Sequence, residues 1–350
     1  MPMRCAIIGC GASTAGKGGA HSIAYAHAWA MRRVPETKLV AAASRTPKNL
    51  EDFMAEFPGV RGYRDYHELL QEEQPDLASI CAFPPDREAM VVEAIHCGAK
   101  AVWIEKPFAL GLGAAKRMRV AADRTGCRLF VNHQRRYGRP FEWWREAVAG
   151  QKIGVLEGIE IAQPFDNFMN FGPHLVDAAL FALGPDRKAT EVIAADDMTN
   201  GGVYQGARTE AQLVGSVHFN DGVRLSVEVG RKACQGLPVL RANGSQGFAE
   251  LRLDAMPGEG GVFRGLYAGA PAVHSPATDE HFHHSEDGTL YVHRALLDIV
   301  QALRTGSSTR IDADEAYRGL EIIMGLYESA RLGRMLSFPI TQDVFPLELT

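Results

Sequence analysis

The sequence predicts a two-domain protein in which a doubly wound parallel sheet is followed by an α+β half with a mostly antiparallel sheet. At 350 residues, the chain exceeds the roughly 250–300 residues at which one hydrophobic core stops growing. Short apolar strands alternate with amphipathic helices up to residue 132, as in α/β domains. After residue 150, alternating stretches follow one another through turns such as Asn220-Asp221-Gly222, which favours antiparallel pairing. We therefore predict domains at 1–132 and 133–350, with the last helix packing back on the first domain.

The composition is that of an ordinary globular protein, with 46% hydrophobic and 23% charged residues. The net charge of -5 and the lack of a Lys/Arg stripe argue against nucleic acid as a partner. Six cysteines form no CxxC pair, which suggests buried thiols in a reducing compartment. No apolar run approaches the roughly 18–20 residues that span a bilayer, and no secretory signal precedes the first strand. We expect a cytoplasmic protein without membrane partners.

The first strand, at 4–9, runs directly into a glycine turn, and a helix is predicted from about residue 19 to 33. In such a turn, backbone N–H groups and a helix N-terminus can meet a pyrophosphate. The cofactor contacts predicted here are Gly9, Gly11, Ser13 and Thr14. Thr14 stands where a GxGxxG pattern has its third glycine, so the turn is enlarged.

The end of the second strand, at 38–44, selects between dinucleotides. An acid there would bind the ribose 2′-hydroxyl, whereas this chain has Ser44 and Arg45, with Lys48 nearby. A guanidinium and a hydroxyl suit a 2′-phosphate, which favours NADP over NAD. If Arg45 instead extends into solvent, the preference stays open.

Two further strand ends carry candidate residues. Phe83-Pro84-Pro85 lies at the carboxyl end of the strand predicted at 77–83, before the helix predicted at 86–97. It either forms a wall of the cofactor cleft or is only a loop that blocks helix propagation. Glu105-Lys106-Pro107 follows the apolar run 101–104. Ligands of open α/β sheets bind beyond the carboxyl ends of the strands, where a lysine can donate a proton or bind an anion. Taken alone, the tripeptide is more typical of a solvated surface lysine beside a turn proline.

The second half is predicted to contain six strands, an irregular loop at 256–288, and closing helices at 289–305 and 312–333, the latter capped by Asp312. The strands are expected at 153–165, 188–197, 209–219, 223–230, 236–243 and 247–253. One earlier helix carries polar residues. We expect Pro173 at its first position, Gly184 at its end, His174 and Asp177 on one face, and Asn170 in the preceding loop. A core histidine bonded to its neighbouring aspartate is the alternative.

Together these motifs resemble the Gfo/Idh/MocA oxidoreductase family over nearly the whole chain. The resemblance rests on the glycine turn, Glu105-Lys106-Pro107, Arg135-Arg136-Tyr137, Gly172-x-His174-x-x-Asp177, the Arg241–Gly247 hairpin and the closing Glu328-Ser329-Ala330 helix. It implies a Rossmann domain, a second domain with an open-faced sheet, and a homodimer or homotetramer formed through that sheet. It also implies NADP or NAD as cofactor and a sugar or polyol as substrate.

The resemblance further implies roles for particular residues. His174 would act as the base, Lys106 as its electrostatic partner, and Glu105 and Pro107 would hold the lysine in place. Phe83, Pro84, Glu105 and Lys106 are further predicted cofactor contacts, and Arg136 and Asp177 are predicted to bind substrate. Asn170 stands where many relatives have an aspartate, and an amide cannot accept a proton. This departure leaves room for a redox-assisted glycosidase or a non-catalytic sugar or dinucleotide sensor.

The sequence His281-Phe282-His283-His284 suggests a metal site, because imidazoles bind zinc. No carboxylate or thiolate beside it supplies an obvious fourth ligand. We therefore predict no metal and interpret the segment as a loop in solvent, at the substrate mouth or at a subunit contact.

Overall fold

The structure is a computed structural model that describes residues 1–13, 22–204, 206–253, 262–267, 270–274 and 290–349. Two compact units divide the chain. The first consists of residues 1–109, 114–134 and 287–313, and the second of residues 110–113, 135–286 and 314–350. Thr14 and the histidines at 281, 283 and 284 lie outside the described residues.

The first unit is built on a six-stranded parallel sheet with the order β3-β2-β1-β4-β5-β6. Its strands are β1 (Met3–Ile8), β2 (Thr37–Ala43), β3 (Arg61–Tyr63), β4 (Leu77–Ile80), β5 (Ala101–Ile104) and β6 (Arg128–Val131). The helices between them are α1 (Ile23–Arg33), α2 (Pro47–Glu56), α3 (Tyr66–Glu73), α4 (Pro84–His96) and α5 (Leu112–Thr125). Every residue of β4 and β5 is buried, because strands covered on both faces have no solvent side. The predicted doubly wound sheet is confirmed.

The second unit is built on a nine-stranded sheet with the order β16-β15-β14-β13-β7-β12-β11-β8-β17. Its strands, with the separate hairpin β9-β10, are β7 (Leu156–Gln163), β8 (Ala189–Asp197), β9 (Val203–Tyr204), β10 (Ala207–Arg208), β11 (Gln212–Phe219), β12 (Arg224–Val229), β13 (Val239–Gly244), β14 (Gly247–Arg252), β15 (Val262–Tyr267), β16 (Ala270–His274) and β17 (Leu336–Ser337). Within the described strands of this nine-stranded sheet, only the β12–β7 pair is parallel, so the mostly antiparallel prediction is confirmed.

Four helices follow the first five along the chain, and they are α6 (Arg139–Ala149), α7 (Phe168–Leu183), α8 (Leu290–Thr305) and α9 (Ala313–Leu332). Helix α8 belongs to the first unit, where it packs against α1. The Arg128 guanidinium of β6 donates to the carbonyls of Ala302 and Ser307, at 3.0 and 2.8 Å. A cation at a helix C-terminus satisfies carbonyls that have no partner within the helix.

Three local predictions were wrong. Strands β15 and β16 occupy part of the segment predicted as an irregular loop, because each completes hydrogen bonds along the edge of the sheet. Pro84 and Pro85 do not block a helix but begin α4, where a proline loses no helical hydrogen bond. Helix α7 begins at Phe168, so Asn170 lies in its first turn and Pro173 inside it.

Candidate functional site

A cleft of about 390 Å³ opens at the carboxyl edge of the first sheet, beside the end of β1. Its lining includes five of the predicted cofactor residues, namely Gly9, Gly11, Ser44, Arg45 and Phe83. Pro84, Glu105 and Lys106 are not among the described residues that line it. Ser13 lies outside this lining and interacts with Tyr25.

The glycines of this cleft have backbone conformations and close contacts that a side chain would prevent. Gly9 and Gly11 have φ values of 96° and 64°, in the left-handed region that favours glycine. A Cβ on Gly9 would lie 2.7 Å from the backbone nitrogen of Ala82, and one on Gly11 would lie 2.5 Å from the Ser22 side chain. Because Ser22 immediately precedes α1, this arrangement fits a pyrophosphate at the start of a helix.

The far end of the cleft carries two cations and one acid. Arg45 donates from Nη2 to Oδ2 of Asp86 at 2.8 Å, and Arg64 donates to the backbone carbonyl of Arg45. Lys48, predicted to lie nearby, instead pairs with Asp52 at 2.5 Å on α2. Sequence reasoning missed Asp86 because it follows β4, two strands away from Arg45 in the sheet order.

Glu105 lies in a buried hydrogen-bond network beneath the carboxyl edge of the sheet. Its Oε1 lies 3.0 Å from Nε2 of His27, and it accepts a hydrogen bond from Nδ2 of Asn132 at 2.5 Å. Nδ1 of His27 lies 2.8 Å from the Ser79 hydroxyl, and the ring stacks on Trp103 with centroids 3.8 Å apart. The network joins α1, β4 and β5 to the residue after β6.

The charges of this network stabilise one another. Burial works against the imidazolium, but the neighbouring Cys81 and Glu105 outweigh burial and raise the pKa of His27 to about 9. Burial also works against the carboxylate, but the hydrogen bond and charge of His27 and the charge of Lys106 lower the pKa of Glu105. A buried ion pair of this kind is retained because each partner compensates the other's desolvation.

Lys106 follows Glu105 directly and is half-buried. The peptide bond between Lys106 and Pro107 is cis. The fully buried Arg87 of α4 donates to the carbonyl of Pro107 and, at 2.8 Å, to that of Ala82. Burial lowers the pKa of Arg87 to about 10, against the opposing charge of Glu105. Arg87 thus ties the segment after β5 to the segment after β4.

The other predicted catalytic residues lie on α7 of the second unit. Asn170 and His174 are four positions apart and Asp177 follows three positions later, so the three share one helix face. His174 is buried, and its ring lies edge-on to Phe171 at 5.6 Å between centroids. Asn170 is half-buried.

Arg136 and Asp177, both predicted to bind substrate, are buried and paired with each other. Nε of Arg136 donates to both carboxylate oxygens of Asp177, at 2.9 and 3.0 Å. Burial works against the guanidinium, but the charge of Asp177 outweighs it and raises the pKa of Arg136. Arg136 therefore satisfies part of the hydrogen-bonding capacity of the Asp177 carboxylate.

The start of α7 is held by side chains that sequence reasoning missed. Oε1 of the buried Glu210 accepts the N–H of Phe168 at 2.6 Å, and its Oε2 accepts the hydroxyl of Tyr327 at 2.7 Å. Asn167 accepts the N–H of Asn170 at 3.2 Å. Burial raises the pKa of Glu210 despite these hydrogen bonds. A carboxylate is favourable at a helix N-terminus, where N–H groups point outward.

The sheet order and the glycine-lined cleft define the first unit as a dinucleotide-binding Rossmann domain. Residues 3–133 match the family model GFO_IDH_MocA, described as "Oxidoreductase family, NAD-binding Rossmann fold". The match over residues 3–133 agrees with the resemblance found in the sequence.

Two curated relatives are similar over part of the chain. D-apiose dehydrogenase from Paraburkholderia graminis is 27% identical over 216 residues, which are 57% of this chain and 53% of that protein. Myo-inositol 2-dehydrogenase from Thermotoga maritima is 26% identical over 173 residues, which are 46% of this chain and 52% of that protein. The chain thus spans about half the length of the curated relatives it matches.

A solved structure is similar over almost the whole chain. It is an oxidoreductase from Agrobacterium radiobacter in complex with NAD+, L-tartaric acid and magnesium, with a TM-score of 0.78 and 19% identity. The match covers 96% of this chain and 98% of that one. At this identity, the similarity shows the fold. No helix in the described part of the chain is both long and apolar enough to cross a membrane.

The buried His27 makes stability depend on pH. Its folded-state pKa of about 9 lies above the unfolded value near 6.5, so its contribution is fully present below about pH 6.5 and is lost as the pH rises through 9. We expect the thermal unfolding midpoint to fall between pH 6.5 and 9.5, and to fall less in His27→Gln. The exposed His67 provides the control: His67→Gln should keep the wild-type pH dependence. Equal pH dependence in wild type and His27→Gln would contradict the assignment.

Glu210 should stabilise the second unit through its two hydrogen bonds. Glu210→Ala leaves the N–H of Phe168 and the hydroxyl of Tyr327 without this acceptor, and should reduce the free energy of unfolding by about 1–3 kcal/mol. Glu210→Gln should lose less, because an amide oxygen can still accept from Phe168. Denaturant titration checks the difference, with the exposed Glu146 of α6 changed to Ala as the control. Equal losses in the two Glu210 variants would argue against a hydrogen-bonding role.

Proposed function

We propose that the protein is an NAD(P)-dependent oxidoreductase that interconverts a secondary alcohol and a carbonyl on a sugar, polyol or related small molecule. The observation that carries this proposal is the position of Lys106. It directly follows the anchored Glu105 at the carboxyl end of β5, on the sheet edge where the glycine-lined cleft opens. In doubly wound sheets, ligands bind at this edge.

The proposed chemistry assigns one task to each residue. A nicotinamide, when bound, supplies the hydride chemistry. Lys106 stabilises the negative charge that develops on the reacting oxygen, and the buried Glu105 fixes the backbone from which Lys106 extends. His174 takes the hydroxyl proton in the oxidation direction and returns it in the reduction direction. Asn170 hydrogen-bonds a substrate hydroxyl without accepting a proton.

Arg136 and Asp177 remain proposed substrate-site residues. Their mutual ion pair holds the Arg136 side chain against Asp177, which lies on the same helix as His174. Binding groups that are already held in place lose little conformational freedom when a ligand arrives. The pairing therefore supports preorganisation of the site.

The substrate class is supported by the names of the relatives. One is named for D-apiose and the other for myo-inositol, a sugar and a polyol. Both carry several hydroxyls, which suits a site with an amide and an imidazole on one helix face.

The proposed cofactor preference is for NADP. Ser44, Arg45 and Arg64 line the cleft near the end of β2, where NAD-specific domains carry an acid. A guanidinium can bind a phosphate through two parallel hydrogen bonds.

The free state of all six cysteines supports a reducing, cytoplasmic location.

We also propose association into a homodimer or homotetramer through the exposed face of the second sheet. Val214 of β11 and Ile193 of β8 are 56% and 44% exposed on this face. The pairs Val214–Ala195 and Ser216–Ile193 place them side by side. Apolar residues clustered on an open sheet face are typical of a contact surface.

The Lys106→Ala variant tests the catalytic assignment. We expect turnover to fall by at least about 100-fold, the scale of losing one charge-stabilising group in an active site. Dinucleotide affinity should change little, because Lys106 is not among the described residues lining the cleft. The measurement is absorbance of the reduced nicotinamide, with sugars and polyols screened against NAD and NADP.

Lys100→Ala is the matched control for that experiment, because Lys100 lies at the other end of the same strand and pairs with Asp76 in solvent. It should keep wild-type turnover. Undiminished activity in Lys106→Ala would remove Lys106 from the proposal. Release of sugar from a glycoside without net absorbance change would instead favour a glycosidase, and binding without turnover would favour a sensor.

The proposed association can be tested by placing a charge on the sheet face. Val214→Glu should shift the protein towards monomers in sedimentation velocity experiments, because a buried carboxylate without a partner is unfavourable. Val120→Glu is the control, since Val120 is 47% exposed on α5 of the first unit. A wild-type protein that sediments as a monomer would contradict the proposal.

A further inference from the structure

The rim of the cofactor cleft contains an acid that faces the predicted phosphate-binding arginine. Of the described residues that line the cleft, Asp86 is the only acid, and Arg45 and Arg64 are the two cations. Asp86 lies in the first turn of α4, and Arg45 directly precedes Thr46, the N-cap of α2. Asp86 and Arg45 therefore approach each other across the cleft from segments that follow two different strands.

The contact between them is direct but open to solvent. Nη2 of Arg45 lies 2.8 Å from Oδ2 of Asp86, and the side chains are 81% and 47% exposed. An exposed ion pair of this kind is weak and exchanges readily, because water screens both charges. Asp86 thus accepts a hydrogen bond from Arg45 without fixing the conformation of the Arg45 side chain.

The position of this pair bears on the choice between NAD and NADP. The 2′-phosphate of NADP would bind to hydrogen-bond donors at the end of β2, and Arg45 is the residue predicted to bind it. To reach Arg45, the phosphate must displace the Asp86 carboxylate or accept it as a close like charge. Either effect weakens NADP binding, whereas the uncharged 2′-hydroxyl of NAD meets neither obstacle.

Arg64 cannot simply take over from Arg45. Its Nη2 donates to the backbone carbonyl of Arg45, which commits part of its guanidinium to holding that backbone. Of the two described cations that line the cleft, Arg45 is therefore paired with Asp86, and Arg64 uses part of its guanidinium to support the backbone of Arg45.

We infer that Asp86 is a specificity-determining residue for the cofactor, which competes with the 2′-phosphate for Arg45 and so limits the preference for NADP. The inference rests on the proposed function, since it requires a dinucleotide in the cleft. It assigns to Asp86 the discriminating role that an acid at the end of the second strand has in NAD-specific domains, but with the acid supplied by α4.

The test is a set of dissociation constants for NADP+ and NAD+, measured by isothermal titration calorimetry. Asp86→Asn keeps the size of the side chain and removes the charge. It should tighten NADP+ binding about fivefold, the scale of one exposed ion pair, and leave NAD+ binding within about twofold. In the Arg45→Gln background, the same change should have less effect on NADP+, because the contested donor is gone.

Glu88→Gln is the matched control. Glu88 lies on the same helix and pairs with Arg117 at 2.5 and 2.8 Å, but it is not among the described cleft residues. Its affinities should equal those of the wild type. This variant separates the loss of a carboxylate at the cleft from the loss of any carboxylate on α4.

The outcomes are distinguishable. An unchanged or lowered NADP+/NAD+ affinity ratio in Asp86→Asn, with both dinucleotides still bound, would overturn the inference alone. An equal gain with and without Arg45 would overturn competition for Arg45. A wild-type protein that binds neither dinucleotide would overturn the proposed function, and the inference with it.

Discussion

The backbone at the carboxyl edge of the first sheet depends on the hydrogen bonds of the buried Glu105 carboxylate. This carboxylate lies where β5 ends, and His27 and Asn132 bring the first helix and the end of β6 to the same point. A carboxylate without such partners would be costly at this depth. The same pairing that offsets its desolvation also fixes the backbone of Lys106. Arg87 extends this order by bonding the carbonyls that follow β4 and β5.

In the second unit, a buried acid likewise holds one element in place, namely the start of helix α7. Glu210 is buried against the start of α7 and satisfies an N–H group that has no partner within the helix. Together with Asn167, it lets the helix begin before Pro173, even though an interior proline removes one helical hydrogen bond. In both units, a buried acid holds neighbouring residues in place through its hydrogen bonds.

Local patterns predicted the sheet class and much of the cleft. Gly9, Gly11, Ser44 and Arg45 could be identified because strand ends and glycine turns are encoded by neighbouring residues. The partners of those residues could not. Asp86 reaches Arg45 from the helix that follows another strand, and Glu210 reaches Phe168 across 42 positions of the chain. Only the paired backbone reveals that Val262–Tyr267 is a strand, since its glycine-rich surroundings are typical of a loop.

The return of the chain to the first unit through residues 287–313 has a consequence for synthesis. Helix α8 covers part of α1, and Arg128 closes its C-terminus, yet the ribosome completes α8 only after most of the second unit has emerged. Contacts so far apart in sequence form late, because a long loop must first be closed. The part of α1 that α8 covers is therefore exposed in the nascent chain until most of the second unit has been synthesised. That interval is the period in which chaperone binding or aggregation would compete with folding.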